Sequence, residues 1–295
     1  MKSNFPLVSF ISVNFNAHEA TLEFLDSISD LKYPNYEVII VDNASDFSSE
    51  DLIKQQFPSV TYVQSEENLG FAGGNNLGIK NSKGAFLFFV NNDTVLTEGV
   101  VESLISVFDA LPKVAGVSPK IIYEGTDIIQ YAGYTELTLT ARNSAIGNGL
   151  NDGEAFNKVK ETPYLHGAAM MISREAYEEV GLMSEDYFLY YEELDWSQRF
   201  RNSGFELYVD QRVSIFHKAS VSVGKNSPLK TYYMMRNRWL FVRKNCGFFQ
   251  NVFYSFYVSL IVFPKDVLKY LFKREWAQLS AVLRGYFWNY RILAS

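Results

Sequence analysis

The sequence predicts an α/β protein with a mostly parallel sheet flanked by helices. Up to residue 120, apolar runs rich in Val, Ile and Phe alternate with segments of helical spacing, and polar clusters follow three of these runs. Continuous apolar runs are typical of parallel strands buried on both faces, and their alternation with helices is typical of β-α-β units. The length of 295 residues suits one large or two modest domains.

The elements of this first part are predicted in order along the chain. Apolar residues at helical spacing indicate a helix over ATLEFLDSISDL, and the serines that open SSEDLIKQQF are typical helix caps. The predicted strands are LVSFISVNF, YEVIIVDN, VTYVQS, AFLFFVNND and VAGVSPKII, and the two further helices are GGNNLGIKNS and EGVVESLISVFDAL.

The second part of the chain is less regular. Residues 124–162 are rich in Gly and Asn and weakly patterned, so we expect a long loop region with room for hairpins. The segment YLHGAAMMISREAYEEVG then predicts a strand and a helix, and ELYVDQRVSIFH predicts further strands that end at His217.

The C-terminal part differs in charge from the rest. From Lys230 onward there are eleven Lys and Arg residues against two acids, although the whole chain has a net charge of −6. The uncharged, largely apolar stretch from Cys246 to Pro264 includes Gln250 and Asn251. We expect helices that lie in a membrane interface with basic anchors. The alternatives are a purely structural helical pair and a spanning helix, which needs about 20 mostly apolar residues.

Three polar clusters follow predicted strands, at Asn14–Asn16, Asp42–Ser45 and Asn91–Asp93. In parallel α/β sheets, ligands bind at the carboxyl ends of the strands. Asp93 is suited either to hold a divalent cation, which prefers oxygen ligands, or to cap the helix that follows. Asp42 likewise either accepts a hydrogen bond from a nucleotide base or ribose, or caps a turn.

The segment ENLGFAGGNNLG (Glu67–Gly78) lies between a predicted strand and a predicted helix and matches neither the GxGxxG pattern nor the P-loop. Either its glycines let an anion approach a helix start, or they form only a tight turn. The chain has three histidines and one cysteine, which excludes an internal disulfide. Without a His pair or a Cys cluster, a zinc site is not expected.

Seven segments, in this order, resemble the family 2 glycosyltransferases, which have the GT-A fold. The segments are SVNFN (Ser12–Asn16), VDNAS (Val41–Ser45), NLGFAGGNNLG (Asn68–Gly78), VNND (Val90–Asp93), HGAAMMISR (His166–Arg174), YYEELDWSQR (Tyr190–Arg199) and His217. The resemblance covers residues 6–245, and NLGFAGGNN with NND is most similar to the bacterial rhamnosyltransferase-type branch that builds surface polysaccharides.

The resemblance implies a GT-A domain over residues 1–245 and a C-terminal amphipathic, aromatic helical segment over residues 246–295. Within the GT-A domain, residues 1–122 would form the nucleotide-binding half and residues 123–245 the acceptor half. Asp93, in the place of the family's DxD motif, would hold Mg²⁺ or Mn²⁺ on the donor diphosphate, and His217 would be an additional metal ligand. Asn91 stands where that motif has its first acid.

The resemblance also implies which residues meet the two substrates. Those expected at the nucleotide and donor sugar are Asn14, Asn16, Asp42, Asn43, Asn68, Gly70, Asn76, Asn92 and Asp93. Those expected at the acceptor are His166, Gly167, Tyr191 and Trp196.

The segment LYYEELDWSQRF crowds three acids among aromatic residues. If EELDWSQRF begins a helix, Glu192 and Asp195 share a face while Glu193 points about 100° away. Acids in a first turn also stabilise a helix N-terminus, which is the structural alternative. Alignment with the family's acidic pair makes Glu193 the general base, with Glu192 and Asp195 binding the acceptor or orienting the site. The expected aromatic wall for the acceptor sugar is formed by Tyr190, Tyr191 and Trp196.

The implied reaction is inverting transfer from dTDP-rhamnose or a UDP-sugar to a glycan or lipid-linked glycan acceptor. The metal neutralises the leaving diphosphate, and one carboxylate takes the acceptor proton. We expect a cytoplasmic protein, peripheral on the inner face of the cell membrane, that binds no nucleic acid because apolar residues dominate between the basic residues of its tail.

Two other classes remain as alternatives. A sugar-nucleotide nucleotidyltransferase should have a basic, Gly-rich loop after its first strand, where this chain has NFNAHEA. A non-catalytic, transferase-like binding subunit would be consistent with the departures from the family pattern at Asn91 and Glu193.

Overall fold

The computed structural model describes residues 5–218 and 227–291. The chain divides into two compact units. The first, here the sheet unit, comprises Met1–Thr135, Ser144–Phe188 and Glu192–Ala219. The second, here the C-terminal unit, comprises Glu136–Asn143, Leu189–Tyr191 and Ser220–Ser295.

In the part of the chain that the structure describes, the sheet unit has ten strands. They are β1 Val8–Asn14, β2 Tyr36–Asp42, β3 Thr61–Gln64, β4 Phe86–Val90, β5 Thr94–Val95, β6 Val114–Tyr123, β7 Ile129–Tyr131, β8 Val159–Glu161, β9 Ala169–Ser173 and β10 Glu206–His217. The segment predicted to contain several strands before His217 is therefore one strand. The region predicted as a long loop contributes only the two short strands β7 and β8.

The sheet is mixed, with the strand order β3-β2-β1-β4-β9-β6-β10-β5 and with β7 beside β6 and β8 beside β10. The strands β3, β2, β1 and β4 are parallel to one another, as predicted, and β6 is parallel to β10. In contrast, β9 is antiparallel to both of its neighbours, β4 and β6.

Over residues 5–218, six α-helices accompany these strands. They are α1 His18–Ser29, α2 Glu50–Gln56, α3 Gly70–Lys80, α4 Val100–Ala110, α5 Arg174–Val180 and α6 Glu192–Asn202. Neighbouring residues of β1 enter two different apolar clusters, because successive side chains of a strand point to opposite faces. Phe10 packs in one cluster and Ile11 in the other. The sheet is thus covered on both faces, as the continuous apolar strands predicted.

The glycines of α3 let this helix pack closely on the sheet. A β-carbon added at Gly78 would lie 2.4 Å from Ile11 Cγ2, and one at Gly74 would lie 3.0 Å from either terminal methyl carbon of Val13. Contacts this short leave no room for a side chain at either position. Packing against β1 therefore accounts for these two residues of the glycine-rich segment without a bound anion.

Between residues 227 and 291 the C-terminal unit contains four α-helices, α7 Pro228–Asn245, α8 Phe248–Tyr257, α9 Phe263–Phe272 and α10 Trp276–Arg291, with a π-helical segment Val258–Val262 before α9. Helix α7 packs on α10, since Trp239 and Tyr286 share an apolar cluster and Asn289 Nδ2 donates to Arg236 O over 3.1 Å. The C-terminal unit thus begins before α7, near residue 220, and the predicted division at residue 245 coincides with the end of α7.

Within residues 5–218 and 227–291, none of the helices has both the length and the apolar character needed to cross a bilayer. The alternative of a spanning helix over Cys246–Pro264 therefore has no support. That stretch forms α8 and the π-helical segment.

Candidate active site

The carboxyl ends of β1 and β2 meet at a polar pair. Asn14 is paired with Asp42 in the sheet register, and Asn14 Nδ2 donates to Asp42 Oδ2 over 2.7 Å. The other oxygen, Asp42 Oδ1, accepts from the Ser45 backbone N–H at 2.8 Å and from Gln64 Nε2 at 2.9 Å. Burial alone would raise the pKa of Asp42, but these hydrogen bonds outweigh burial and lower it.

Asp42 has no exposed surface, so its present contacts are all with protein groups. Gln64 is exposed at the end of β3 and lies between Asp42 and solvent. A base that bonds directly to Asp42 would therefore have to replace the Gln64 amide. Sequence reasoning missed Gln64, although it ends a strand and the rule that selected Asp42 applies to it equally.

A cleft of about 250 Å³ lies beside this pair, and its lining residues are Asn14, Asn16, Ala17, His18, Ser45, Asp46 and Phe47. Two of the residues predicted at the donor, Asn14 and Asn16, therefore line one cleft. Phe47 is 87% exposed and gives the cleft an aromatic surface that a flat ring can stack on. Phe47 was not predicted, although it is a lone aromatic residue in the polar stretch NASDFSSE.

Asn92 connects this cleft to the strand end that carries Asp93. Its Nδ2 donates to Thr21 Oγ1 over 2.8 Å and lies 3.4 Å from Asn14 Oδ1. Asn92 is nearly buried, so its amide orients Asn14 and Thr21.

Asp93 and His217 lie together, as expected for two ligands of one metal. Both are nearly buried, and antiparallel pairing of β5 with β10 places His217 opposite Thr94. His217 Nε2 is 3.1 Å from Asp93 Oδ1. The other ring nitrogen, Nδ1, is 2.8 Å from Gln130 Oε1. Because Gln130 Oε1 is an acceptor, Nδ1 is the donor in this contact. In the neutral ring Nε2 then presents its lone pair to Asp93, and in the protonated ring the two groups form an ion pair.

This arrangement fits a divalent cation. Asp93 Oδ1 is buried and accepts no hydrogen bond, so with His217 in its neutral form two electron-pair donors face each other. Such a pair costs free energy unless a cation compensates it. Among the described residues, no group of three or more His, Cys, Asp or Glu side chains is placed to hold a metal ion. The remaining ligands would therefore come from a bound substrate or water.

The three acids of α6 have different environments. Glu192 and Asp195 are buried, whereas Glu193 is partly exposed. Tyr187 Oη donates to Asp195 Oδ1 over 2.9 Å, and Arg199 Nε donates to Asp195 Oδ2 over 3.0 Å. Both oxygens of Asp195 are thus used to hold α6 in place, which fits the predicted orienting role better than acceptor binding.

Glu193 lies over the backbone of Gly167. A β-carbon added at Gly167 would be 3.9 Å from the Glu193 carboxyl carbon, so the absence of a side chain there leaves space beside the carboxylate. The turn before α6 is strained, because Phe188, Tyr190 and Tyr191 have φ angles of 62°, 68° and 81°. Strained backbone of this kind is concentrated at functional sites.

An aromatic surface lies next to Glu193, formed by His166, which was predicted at the acceptor, and by Tyr134, which was not. His166 stacks on Tyr134 with 6.0 Å between ring centroids and 7° between planes. Burial and the negative charge of Glu193 raise the pKa of Tyr134. The His166 ring also contacts His217 edge-on, at 6.5 Å. The Glu193 carboxylate and the Asp93–His217 pair are therefore linked through one stacked pair of rings.

His166 is neutral at neutral pH. Burial, with a smaller contribution from His217, lowers the pKa of His166 to about 3. Its Nδ1 accepts the backbone N–H of Ala168 over 3.1 Å. Nε2 of the neutral ring therefore carries the proton and is a hydrogen-bond donor.

The predicted aromatic wall of Tyr190, Tyr191 and Trp196 is wrong in two members. Trp196 is 1% exposed, packs against Phe89 in the core and donates from Nε1 to Gly181 O. Tyr191 is also buried, within the C-terminal unit, where its hydroxyl accepts from Arg238 Nε over 2.6 Å. Neither ring has a free face for a sugar.

The Asn and Gly residues around α3 hold the loop that leads into the helix. Asn43 Oδ1 accepts from Leu69 N at 2.9 Å, and Asn68 Oδ1 accepts from Gly70 N at 2.9 Å. Gly70 has a φ of 70°, and a β-carbon there would lie 2.2 Å from Phe188 O. The glycine is thus required by the approach of Phe188.

Asn76 is a further correction to the predicted donor site. It is 1% exposed, and its amide accepts from Met183 N at 3.1 Å and donates to Met183 O at 3.0 Å. The side chain therefore fixes the segment around Met183 to α3, and its amide is occupied by these protein contacts.

The fold and this site define a class. A mixed α/β sheet with a cleft at the ends of β1 and β2, an acid after β4 and an acidic helix start is the arrangement of the GT-A nucleotide-sugar transferases. Residues 9–181 match the family described as "Glycosyl transferase family 2", and the chain belongs to that family. It therefore transfers a sugar from a nucleotide-sugar, and the resemblance stated from the sequence is confirmed.

Two curated relatives match along most of their length. The "Low-salt glycan biosynthesis hexosyltransferase Agl10" of Haloferax volcanii is 26% identical over 285 residues, which cover 94% of this chain and 89% of the relative. The "dTDP-rhamnosyl transferase RfbF" of Shigella flexneri is 24% identical over 290 residues, with 92% and 94% covered.

A solved structure supports the fold. The mannosyltransferase PcManGT from Pyrobaculum calidifontis, solved in complex with GDP-Man and Mn²⁺, superimposes with a TM-score of 0.60 at 16% identity. The match covers 96% of this chain and 74% of that one, so both the sheet and the C-terminal helices fall within the matched part.

Proposed function

We propose that this protein is an inverting transferase that moves a sugar from dTDP-rhamnose or a UDP-sugar to a glycan or lipid-linked glycan acceptor in surface polysaccharide synthesis. The observation that carries the proposal is the linkage of Glu193, a partly exposed residue, to the Asp93–His217 pair through the stacked rings of His166 and Tyr134. The match to the dTDP-rhamnosyl transferase of Shigella flexneri supports dTDP-rhamnose as the first donor to test.

In this proposal the donor nucleotide occupies the cleft beside Asn14 and Asn16, and its base stacks on Phe47. The cleft is lined mainly by neutral polar side chains, so it orients the nucleotide by hydrogen bonds and not by neutralising its phosphates. Neutralisation of the diphosphate falls to the strand end that carries Asp93. Asn92 keeps these two parts of the donor site in a fixed relation, because its amide contacts Asn14.

Asp93 and His217 would hold Mg²⁺ or Mn²⁺. A bound divalent cation stabilises the negative charge that develops on a leaving diphosphate. Gln130 fixes the His217 tautomer by accepting from Nδ1, which is the usual arrangement of a metal-ligating histidine.

Glu193 is the proposed general base. Its carboxylate accepts the proton of the acceptor hydroxyl as that oxygen attacks the anomeric carbon and the bond from that carbon to the diphosphate breaks. Direct displacement inverts the anomeric centre. Gly167 leaves room for the acceptor beside Glu193, and the paired rings of Tyr134 and His166 form the apolar surface on which the acceptor sugar lies.

A donor screen tests this function. The purified chain is incubated with Mn²⁺ and each of dTDP-rhamnose, UDP-glucose, UDP-galactose and UDP-N-acetylglucosamine, and the released nucleotide is measured with and without acceptor glycans. Acceptor-dependent release from one donor and a product of inverted configuration are expected. No nucleotide binding at millimolar concentration would contradict the proposal. Formation of a sugar nucleotide from a sugar phosphate and a nucleoside triphosphate would instead support the nucleotidyltransferase alternative.

We also propose that the C-terminal unit attaches the protein to the inner face of the cell membrane. Among its most exposed large apolar residues are Phe249 on α8, Leu260 in the π-helical segment and Phe272 on α9. Exposed apolar residues of this size, followed by the Lys and Arg residues of α9 and of the turn after it, are typical of interfacial helices. Flotation with lipid vesicles tests this, and a chain with Phe249→Ser and Phe272→Ser should remain with the unbound protein.

A further inference from the structure

The C-terminal unit has a cavity of about 670 Å³, open to solvent, that the proposed sugar transfer does not use. It lies between the start of α7, α9 and the start of α10. Five basic residues line it, and these are Arg142, Lys230, Arg238, Lys269 and Lys273. Two acids, Asp266 and Glu275, also line it, so the side chains around the cavity carry a net positive charge.

The basic residues of this cavity are not neutralised by the protein. In the described parts of the chain, no carboxylate oxygen lies within 4.0 Å of any of these five side chains. Arg238 is instead held by a neutral partner, the Tyr191 hydroxyl, at 2.6 Å from Nε. Clustered like charges repel each other across a partly desolvated space. A bound anion would relieve that repulsion.

Two helix starts add to the positive potential. Ser227, Pro228 and Thr231 of the first turn of α7 line the cavity, and so do Trp276 and Ala277 of the first turn of α10. The N-terminal end of a helix carries partial positive charge and unpaired backbone N–H groups. Helix starts and basic side chains around one cavity form the combination that binds phosphate groups.

The same cavity borders an apolar surface. Trp276 lines the cavity and is 61% exposed, and Phe272, which precedes the lining residue Lys273, is 82% exposed. Leu268 and Leu271 of α9 are also exposed. A ligand that occupies the cavity with its anionic group can thus place an apolar chain against α9. That combination is a lipid with a phosphate-containing headgroup.

We propose that this cavity binds the phosphate group of an anionic lipid while the surrounding apolar surface lies in the membrane. The volume is within the range of about 300–1,000 Å³ that is usual for small-molecule sites and exceeds what a single phosphate needs. Two lipids have this chemistry, a bulk phospholipid and the polyprenyl diphosphate that would carry a glycan acceptor. The proposal depends on the proposed membrane attachment and not on the sugar-transfer chemistry.

Vesicle flotation with matched charge reversals tests the site. The three vesicle compositions are phosphatidylcholine alone, phosphatidylcholine with phosphatidylglycerol, and phosphatidylcholine with a small fraction of polyprenyl diphosphate. Lys230→Glu on α7 and Lys273→Glu after α9 change the cavity. Lys265→Glu on α9 is the matched control, because Lys265 is exposed and does not line the cavity.

We expect Lys230→Glu and Lys273→Glu each to weaken binding to phosphate-bearing vesicles by about tenfold or more. Each basic residue near an anionic surface strengthens binding roughly fivefold, and a charge reversal both removes that attraction and adds a repulsion. Lys265→Glu should have a clearly smaller effect, and binding to pure phosphatidylcholine should not change. A preference for polyprenyl diphosphate over phosphatidylglycerol would identify the acceptor's carrier as the ligand. The reverse preference would identify a bulk phospholipid.

Equal losses for all three variants would overturn the proposal, because they would show diffuse surface attraction without a defined site. Failure of the wild-type chain to prefer phosphate-bearing vesicles would overturn it as well. Donor turnover without vesicles is measured on the same preparations. A variant that keeps that turnover but loses vesicle binding has failed in the cavity and not in the proposed transferase site or in folding.

Discussion

His217 Nε2 lies 3.1 Å from Asp93 Oδ1 with no hydrogen bond to that oxygen. Gln130 Oε1 accepts from the opposite ring nitrogen, so in the neutral ring the lone pair of Nε2 faces the carboxylate. This relationship makes the metal dependence of the protein testable at the level of single side chains.

His217→Ala should remove most Mn²⁺ binding in the presence of a nucleoside diphosphate. Gln130→Ala should weaken it by about 10–100-fold, because loss of a partner that orients a metal-ligating histidine has effects of that size. Isothermal titration with Mn²⁺ and UDP measures both. The exposed Gln55→Ala is the control. Unchanged Mn²⁺ affinity in His217→Ala would exclude His217 as a ligand.

Glu193→Gln should reduce acceptor-dependent nucleotide release by about 10²–10⁴-fold, the usual contribution of a general base. Donor affinity should stay the same, because the substitution keeps the size of the side chain. Asp195→Asn should act differently, lowering stability through the hydrogen bonds with Tyr187 and Arg199. If Glu193→Gln remains active while a folded Asp195→Asn is inactive, the base is Asp195.

Substitutions of Tyr134 and Trp196 should have different effects, the first on acceptor binding and the second on stability. Tyr134→Ala should raise the KM for acceptor by roughly tenfold, as expected for loss of one stacked ring, with little change in donor KM. Trp196→Ala should instead lower the free energy of unfolding by about 3–5 kcal/mol, because it empties a core position. Urea denaturation and initial-rate kinetics on both variants check this. If only Trp196→Ala raised the KM for acceptor, Trp196 would belong to the acceptor site as predicted from the sequence.

Substitutions at Gly70 and Gly99 form a matched pair that tests the packing of the loop leading into α3. Both have positive φ, at 70° and 78°, but only Gly70 has a neighbour, Phe188 O, in the way of a β-carbon. Gly99→Ala should cost about 1–2 kcal/mol from backbone conformation alone. Gly70→Ala should cost clearly more and should also weaken donor binding, because Gly70 and Phe188 must move apart. Thermal unfolding with and without UDP measures both effects, and equal costs would refute the role of Phe188.

Stability at acid pH should depend on Asp42 and Asp210. Burial alone would raise the pKa of Asp210, but hydrogen bonds from Arg212 and Ser103 outweigh burial and lower that pKa. The pKa of Asp42 is lowered by hydrogen bonds in the same way. The unfolded chain therefore binds more protons once the pH falls below about 4, near the unperturbed value for Asp. The free energy of unfolding is retained above that pH and lost as the pH falls through the folded-state pKa values.

Asp210→Asn tests this dependence. We expect lower stability at neutral pH and a smaller further loss between about pH 4.5 and 2.5, measured by urea denaturation. Asp51→Asn, at an exposed position, is the control and should follow the wild-type profile. If Asp210→Asn loses as much free energy of unfolding as the wild type when the pH falls, Asp210 does not contribute to this pH dependence.

The sequence predicts the fold well where the residue pattern within an element is sufficient to determine the structure of that element. Apolar runs and helical spacing identified β1 to β4 and the helices between them. The direction of β9 could not be predicted in this way, because AMMIS has the same apolar character in a parallel or an antiparallel pairing. The start of the C-terminal unit before α7 could not be predicted in this way either, because it depends on which distant helix α7 packs against, namely α10.

The site was predictable to the extent that strand ends define it. Asp93 and His217 follow that rule and lie together. Tyr134 was missed because it lies in the weakly patterned region of residues 124–162, where only tertiary contacts decide which ring faces Glu193. Trp196 was assigned to the wrong environment, although its spacing of four residues from Phe200 on α6 indicates a core-facing stripe.

The pairing of β5 with β10 has a consequence for the order of folding. Asp93 is made early in synthesis, but its partner ends β10, the last strand that the structure describes in the sheet unit. Contacts between residues so far apart in the chain form slowly and late. A nascent chain still on the ribosome would lack the complete Asp93–His217 pair until β10 has emerged and docked at the sheet edge. Acquisition of Mn²⁺ affinity would then report that the sheet is complete.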